Sequence, residues 1–226
     1  MNHTYPYFGV NFKVYPKTIG EQGLELAKTV ERVQDETGAN FVVTPQIPDV
    51  RMVAAETDVT VSSPHVDAAS PGRGIGKVLP ETLADAGVAG ATINHAENRD
   101  TLTDIAKKID RCAEAGVDSA ICVDSIEMGR AVATLDPDAL IYEKPEDIST
   151  DRAITTTHPE RVERFVEMVD ETNPRTKVLV GGGIRTAEHV RAAFELGADA
   201  TGAASAISTA DDPYERLTEI AAAMPE

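Results

Sequence analysis

The sequence predicts a (β/α)8 barrel, and three observations carry that expectation. Short apolar runs of β type alternate with longer amphipathic segments from one end of the chain to the other, which is the pattern of parallel strands joined by crossover helices. The apolar runs number eight, and no Pro/Gly-rich linker divides them, so one closed sheet is favoured over an open, doubly wound one. The length, 226 residues, is near the roughly 250 of such a barrel, and one domain over residues 1–226 is expected.

Taken in order, a strand is read at 8–12, then a helix over 20–36 with apolar residues at three- and four-residue spacing. Strands follow at 40–44 and 59–63. The stretch 62–77 (SSPHVDAASPGRGIGK) is long, Gly-rich and without helical periodicity, so it should project from the barrel. A strand at 91–94 precedes a helix over 102–115, which Ala-Gly-Val-Asp at 115–118 stops. Then come strand 119–124, helix 125–135 and strand 139–142. A second long connection, 143–157, leaves that strand and leads to a helix over 158–171. Strand 177–180, helix 186–196 with its Leu-Gly-Ala-Asp stop at 196–199, and strand 200–203 complete the count. Loops at strand carboxyl ends build the active sites of such barrels, so 143–157 is a candidate lid and 62–77 a wall or an oligomer contact.

Charge narrows the partners. Lys and Arg total 21 against 38 Asp and Glu, a formal charge of −17, and a surface of that sign repels phosphate backbones and anionic lipid headgroups. Nucleic acid and membrane partners are therefore not expected. The acidic residues are scattered through the predicted helices, a solvated coat that suits a salty, halophilic cytoplasm. No apolar stretch approaches the ~20 residues of a membrane span, and residues 1–4 lack a signal pattern. Cys112 and Cys122 match no zinc spacing and are read as reduced core residues.

Five groups of residues stand where a barrel places chemistry. Asn11 and Lys13 flank Phe12 at the end of the first strand and so share one side; at the rim they can face a substrate, or they can lie in solvent. Asn94-His95-Ala96-Glu97 follows the fourth strand, where an imidazole with a carboxylate two residues on can supply an electrophile and a partner for a buried cation, or a structural hydrogen bond. Glu143 ends the apolar run Ala-Leu-Ile-Tyr beneath the candidate lid, a place where a carboxylate can be dehydrated into a stronger base or pair in solvent with Lys144. Gly182, Gly183 and Ile184 after the seventh strand, and Ala203, Ala204 and Ser205 after the eighth, are the last two groups. Most are small residues that let backbone N–H groups approach an anion, and these two loops are the common phosphate site of (β/α)8 barrels. The remaining histidines do not cluster at metal-ligand spacing, and neither a G-x-S-x-G elbow nor a G-x-G-x-x-G opening is present.

In combination these residues resemble the triosephosphate isomerase family in its shorter archaeal form. The resemblance covers nearly the whole chain: N-x-K after strand one, Thr44-Pro45-Gln46 after strand two, HVD and the Gly-rich segment at 65–76, NHAE, Glu-x-Pro-Glu from Glu143, GGGIR at 181–185 and AAS at 203–205. It implies interconversion of a triose ketose and aldose phosphate, with Glu143 as base, His95 as neutral electrophile, Lys13 and Asn11 as support and Glu97 as the partner of Lys13. It further implies phosphate on 182–184 and 203–206, no metal or organic cofactor, and a homo-oligomer, dimer or tetramer. The departures lie around the phosphate. Lys144 replaces a Pro of the usual loop, Ser149 and Asp151 replace its two Gly and should stand near the phosphate, and Ala96 and Ala206 replace a Ser and a Gly. Other phosphate-binding barrels, the geranylgeranylglyceryl phosphate synthase kind included, share GGGIR but not N-x-K or NHAE. A paralogue acting on another small phosphorylated sugar, and a barrel that binds a phosphometabolite without turning it over, are the alternatives.

Overall fold

The computed structural model describes residues 1–144 and 152–225. Among them eight parallel strands close on themselves in sequence order: β1 (Tyr7–Asn11), β2 (Phe41–Thr44), β3 (Thr60–Ser63), β4 (Gly90–Ile93), β5 (Asp118–Val123), β6 (Ala139–Tyr142), β7 (Lys177–Val180) and β8 (Ala200–Ala203). Closure is made by β1 against β8, where Tyr7, Phe8, Gly9 and Val10 lie opposite Ala200, Thr201, Gly202 and Ala203. The expected barrel is therefore present, with strand ends within two residues of the expected positions.

The crossover helices are α1 (Glu21–Thr37), α2 (Val50–Glu56), α3 (Pro80–Asp85), α4 (Leu102–Ala115), α5 (Ile126–Ala133), α6 (Ile154–Thr157), α7 (Pro159–Thr172), α8 (Ala187–Glu195), α9 (Ser205–Ser208) and α10 (Pro213–Ala221). Each of the five expected helices forms, and Gly116 caps α4 as its stop signal implied. Reading 143–157 as one connection needs correcting: its last four residues form α6, and Ala153, Ile154 and Thr155 are buried there. The rest of that connection from Pro145 to Asp151, with Ser149 among the expected site residues, lies outside the described residues.

Alternation along each strand sorts the core into two layers. On β1, Phe8 and Val10 point outward with Phe12 beyond them, all 0% exposed, and pack with the buried faces of the helices. The intervening Tyr7, Gly9 and Asn11 face the lumen. Lumen-facing side chains elsewhere are mostly small or of medium size, Val42, Ser62, Thr92, Ala120, Cys122, Ile141 and Leu179, so the interior does not fill. A cavity of about 160 Å³ remains and opens at the carboxyl end of the strands. That is many times the roughly 10–15 Å³ one water needs, so the space suits a small metabolite.

Candidate active site

β1 delivers the first two site residues. Asn11 accepts a hydrogen bond at Oδ1 from the Lys13 backbone N–H at 2.8 Å, closing a turn in which Lys13 adopts φ +46°. A non-glycine residue in that region is strained by about 1–3 kcal/mol, so the surrounding fold holds it there. The turn aims the Lys13 side chain, 13% exposed, over the cavity mouth, where Nζ lies 2.9 Å from Glu97 Oε1. The Lys13 ammonium holds the Glu97 carboxyl below the usual carboxylate range. The Asn11 carbonyl accepts from Ser208 Oγ at 3.0 Å, which ties the same strand end to α9.

His95 leaves β4 just after Asn94, itself at φ +60°. Its Nδ1 accepts from the Glu97 backbone N–H at 3.2 Å, so in the neutral ring the proton sits on Nε2, and Nε2 lies 3.4 Å from Glu143 Oε1 without donating to it. One loop thus supplies both the imidazole and the counter-ion of Lys13.

Glu143 follows β6 and is fixed by its backbone N–H, which donates to the Val123 carbonyl at 3.1 Å. The carboxylate is mostly buried, and among the described residues nothing donates a hydrogen bond to Oε1. Burial pushes this carboxyl above the ordinary Glu range; the positive charge of Lys13 and any on His95 work against that rise. Room for the group comes from Gly181, where a Cβ would stand 3.0 Å from Glu143 Oε2. A buried carboxylate oxygen with spare acceptor capacity, raised in basicity and aimed into a cavity, is poised to take a proton from a ligand.

Gly182, Gly183, Ile184, Ala203, Ala204 and Ser205 all border the cavity, Ile184 while packing its side chain into the core. Gly183, at φ +70°, is tight against the chain entering α6: a Cβ there would lie 2.2 Å from the Arg152 carbonyl oxygen. The expected phosphate loops and the expected lid therefore meet at this point.

Of the expected site residues, Asn11, Lys13, His95, Glu143 and the six of the anion loops border one cavity, with Glu97 held at its edge by Lys13; Ser149 lies outside the described residues. Other residues that border the cavity were not singled out as site residues. Gly181 and Arg185 sit within the GGGIR motif already noted, and Cys122 is legible only from strand alternation. Burial, with the negative charge of Glu143 adding to it, pushes the Cys122 thiol up, and this sulfur lines the wall of the cavity. Among the described residues no group of three or more His, Cys, Asp or Glu is placed to hold a metal ion, and no helix is long and apolar enough to cross a membrane.

A family model described as triosephosphate isomerase matches residues 6–224. The chain is 38% identical over 211 residues to the triosephosphate isomerase of Methanocaldococcus jannaschii, covering 93% of this chain and 96% of that one. It is 40% identical over 213 residues to that of Methanopyrus kandleri, at 93% and 94% coverage. To that of Sulfolobus acidocaldarius it is 36% identical over 214 residues, at 95% and 92%.

Proposed function

This chain belongs to the triosephosphate isomerase family, and from that premise we propose that Glu143, His95 and Lys13 carry out its interconversion of glyceraldehyde 3-phosphate and dihydroxyacetone phosphate. The observation that carries the assignment is the unpartnered, buried Oε1 of Glu143, 3.4 Å from His95 Nε2.

The chemistry follows from these groups. Glu143 takes a proton from C1 of dihydroxyacetone phosphate, the C–H pair becomes the C1–C2 double bond, and the carbonyl pair moves onto O2. His95 donates from Nε2 to the oxygens of the enediolate, and Lys13 offsets the developing negative charge. The O1 proton then passes to O2 by way of His95 Nε2, the electron pair left on O1 re-forms the carbonyl at C1, and the C1–C2 pair takes the proton back from Glu143 at C2, which completes the aldose. Asn11 holds the Lys13 turn, Glu97 holds the ammonium in place, and Gly182, Gly183, Ile184, Ala203, Ala204 and Ser205 offer backbone N–H groups to the phosphate. Ser149, outside the described residues, is assigned to the same phosphate by the family resemblance alone. Proton transfer between adjacent carbons asks for no metal or organic cofactor.

The wider reading is of residues 1–226 as one barrel domain working in a salty cytoplasm as a homo-oligomer, dimer or tetramer. The projecting 62–77 loop supports the oligomer: Asp67 anchors its base, accepting from Lys77 Nζ at 2.8 Å and the Val78 N–H at 2.9 Å, while Ile75 at its tip is fully exposed. Burial alone would raise the Asp67 carboxyl, but those partners hold it down at about 2, so the anchor stays ionised. Light scattering that finds only a 24.1 kDa particle in dilute and molar salt overturns the oligomer. Coupled assays in both directions, run in the same two buffers, test the activity. Turnover of both triose phosphates, greater in molar salt, is expected, and binding without turnover would overturn the assigned roles.

A further inference from the structure

A buried ion pair that the proton transfers do not use stands behind the His95 loop. Lys108 lies on the inner face of α4 with Ile105, Ile109 and Cys112, and is only 4% exposed. An ammonium in such a place is costly unless it is paired and hydrogen-bonded. Its Nζ donates to Asp100 Oδ1 at 2.7 Å. Asp100 Oδ2 accepts from the Asn94 backbone N–H at 3.0 Å, the Asp100 N–H donates back to Asn94 Oδ1 at 3.0 Å, and Asn94 Nδ2 donates to the Cys122 carbonyl on β5 at 2.8 Å.

These bonds clamp the loop 94–100 at both ends. Between the ends lie His95 and Glu97, so the clamp sets where the imidazole and the Lys13 counter-ion stand. We propose that Asp100 and Lys108 are positioning residues: through Asn94 they hold the His95–Glu97 loop in the geometry that brings His95 Nε2 toward Glu143 and Glu97 under Lys13. The residues bordering the phosphate belong to the loops after β7 and β8, which take no part in these bonds, so the effect falls on chemistry more than on binding.

The proposal rests on the assigned roles of His95 and Glu143, and its test separates the two. Asp100→Asn turns an amide toward Lys108, and Lys108→Met leaves Asp100 buried without its cation. Each should lower kcat at least tenfold with KM changed less than twofold. Asp100→Asn/Lys108→Met, which replaces the ion pair by a neutral amide and an apolar chain, should recover most of that loss. Asn94→Gly, which tolerates φ +60° and removes only the side-chain bonds, should lower kcat in the same sense, so the outcome does not depend on any one variant folding. The 15N signal of His95 in the full-length protein reads its Nδ1 acceptor bond directly, and should shift in the single variants and return in the double. Variants that unfold more easily yet keep kcat and the His95 signal would overturn the positioning role. A parent protein inactive on triose phosphates would overturn the assigned reaction instead, and the His95 signal would still decide the clamp.

Discussion

Both ends of the barrel carry charge, yet they use it differently. At the amino-terminal floor, Asp118 Oδ2 accepts from His3 Nδ1 at 2.8 Å and from the Asn2 and His3 backbone N–H groups at 2.6 and 3.1 Å. Lys177 donates to Asp199 at 2.7 Å, His3 stacks on the Tyr7 ring, and Tyr5 tilts against Tyr7. At the carboxyl-terminal rim, Lys13 and Asn94 sit at positive φ, and Glu143 Oε1 is buried with nothing donating to it among the described residues. Charge that is satisfied at the floor holds the fold together, whereas spare acceptor capacity and strain at the rim are tolerated because a substrate uses them.

The sharpest way to break this contrast is Glu143→Gln. The amide cannot accept a carbon-bound proton, so kcat should fall by roughly 10²–10⁴-fold with analogue binding retained. Stability should move the other way. A carboxyl whose pKa is raised by folding contributes stability that is present below its unfolded value and lost as pH rises through its folded one. The variant should therefore unfold at higher urea than the parent at neutral pH, and the gap should close toward about pH 4. A less stable Glu143→Gln protein at neutral pH would contradict the description of the rim.

Lys13→Met should lower kcat/KM by about 10²–10³-fold, the scale of losing one charge-stabilising donor; steady-state kinetics at fixed salt check it. Gly181→Ala is subtler, because the new methyl presses on Glu143 Oε2 and should cost kcat several-fold with the melting temperature nearly unchanged. At the floor, Asp118→Asn should leave kcat alone and lower stability by about 1–3 kcal/mol in urea titrations at neutral pH. Burial raises the Asp118 carboxyl, but the His3 and Asn2 hydrogen bonds outweigh it and hold it below the ordinary range. Its contribution is thus present above the unfolded Asp value and lost as pH falls through the folded one, so parent and variant should converge in acid.

The strands were legible because each is a short apolar run delimited by turn residues, and five of the six longest helices because they repeat their apolar face over two turns or more. The short α2, α3, α6 and α9 give too few turns for a period to emerge. Asp212 before Pro213 is a cap followed by a first-turn proline, a signal for α10 that was there to be read. Within the site, positions were legible from spacing, whereas the Lys13–Glu97 pairing came only with the family resemblance. Strand alternation put Asn11 and Lys13 on one side, but no spacing rule joins Lys13 to Glu97 across 84 residues or leaves Glu143 Oε1 unpaired. Those depend on how β1, β4 and β6 converge, which is a property of barrel closure.

The central claim is that Glu143 moves a proton between two carbons, and exchange in D2O tests it most directly. Dihydroxyacetone phosphate incubated with the protein and followed by proton NMR should lose one C1 hydrogen to deuterium and yield glyceraldehyde 3-phosphate labelled at C2, with Glu143→Gln giving neither. Label incorporation by the Glu143→Gln protein at the parent's rate would contradict the account.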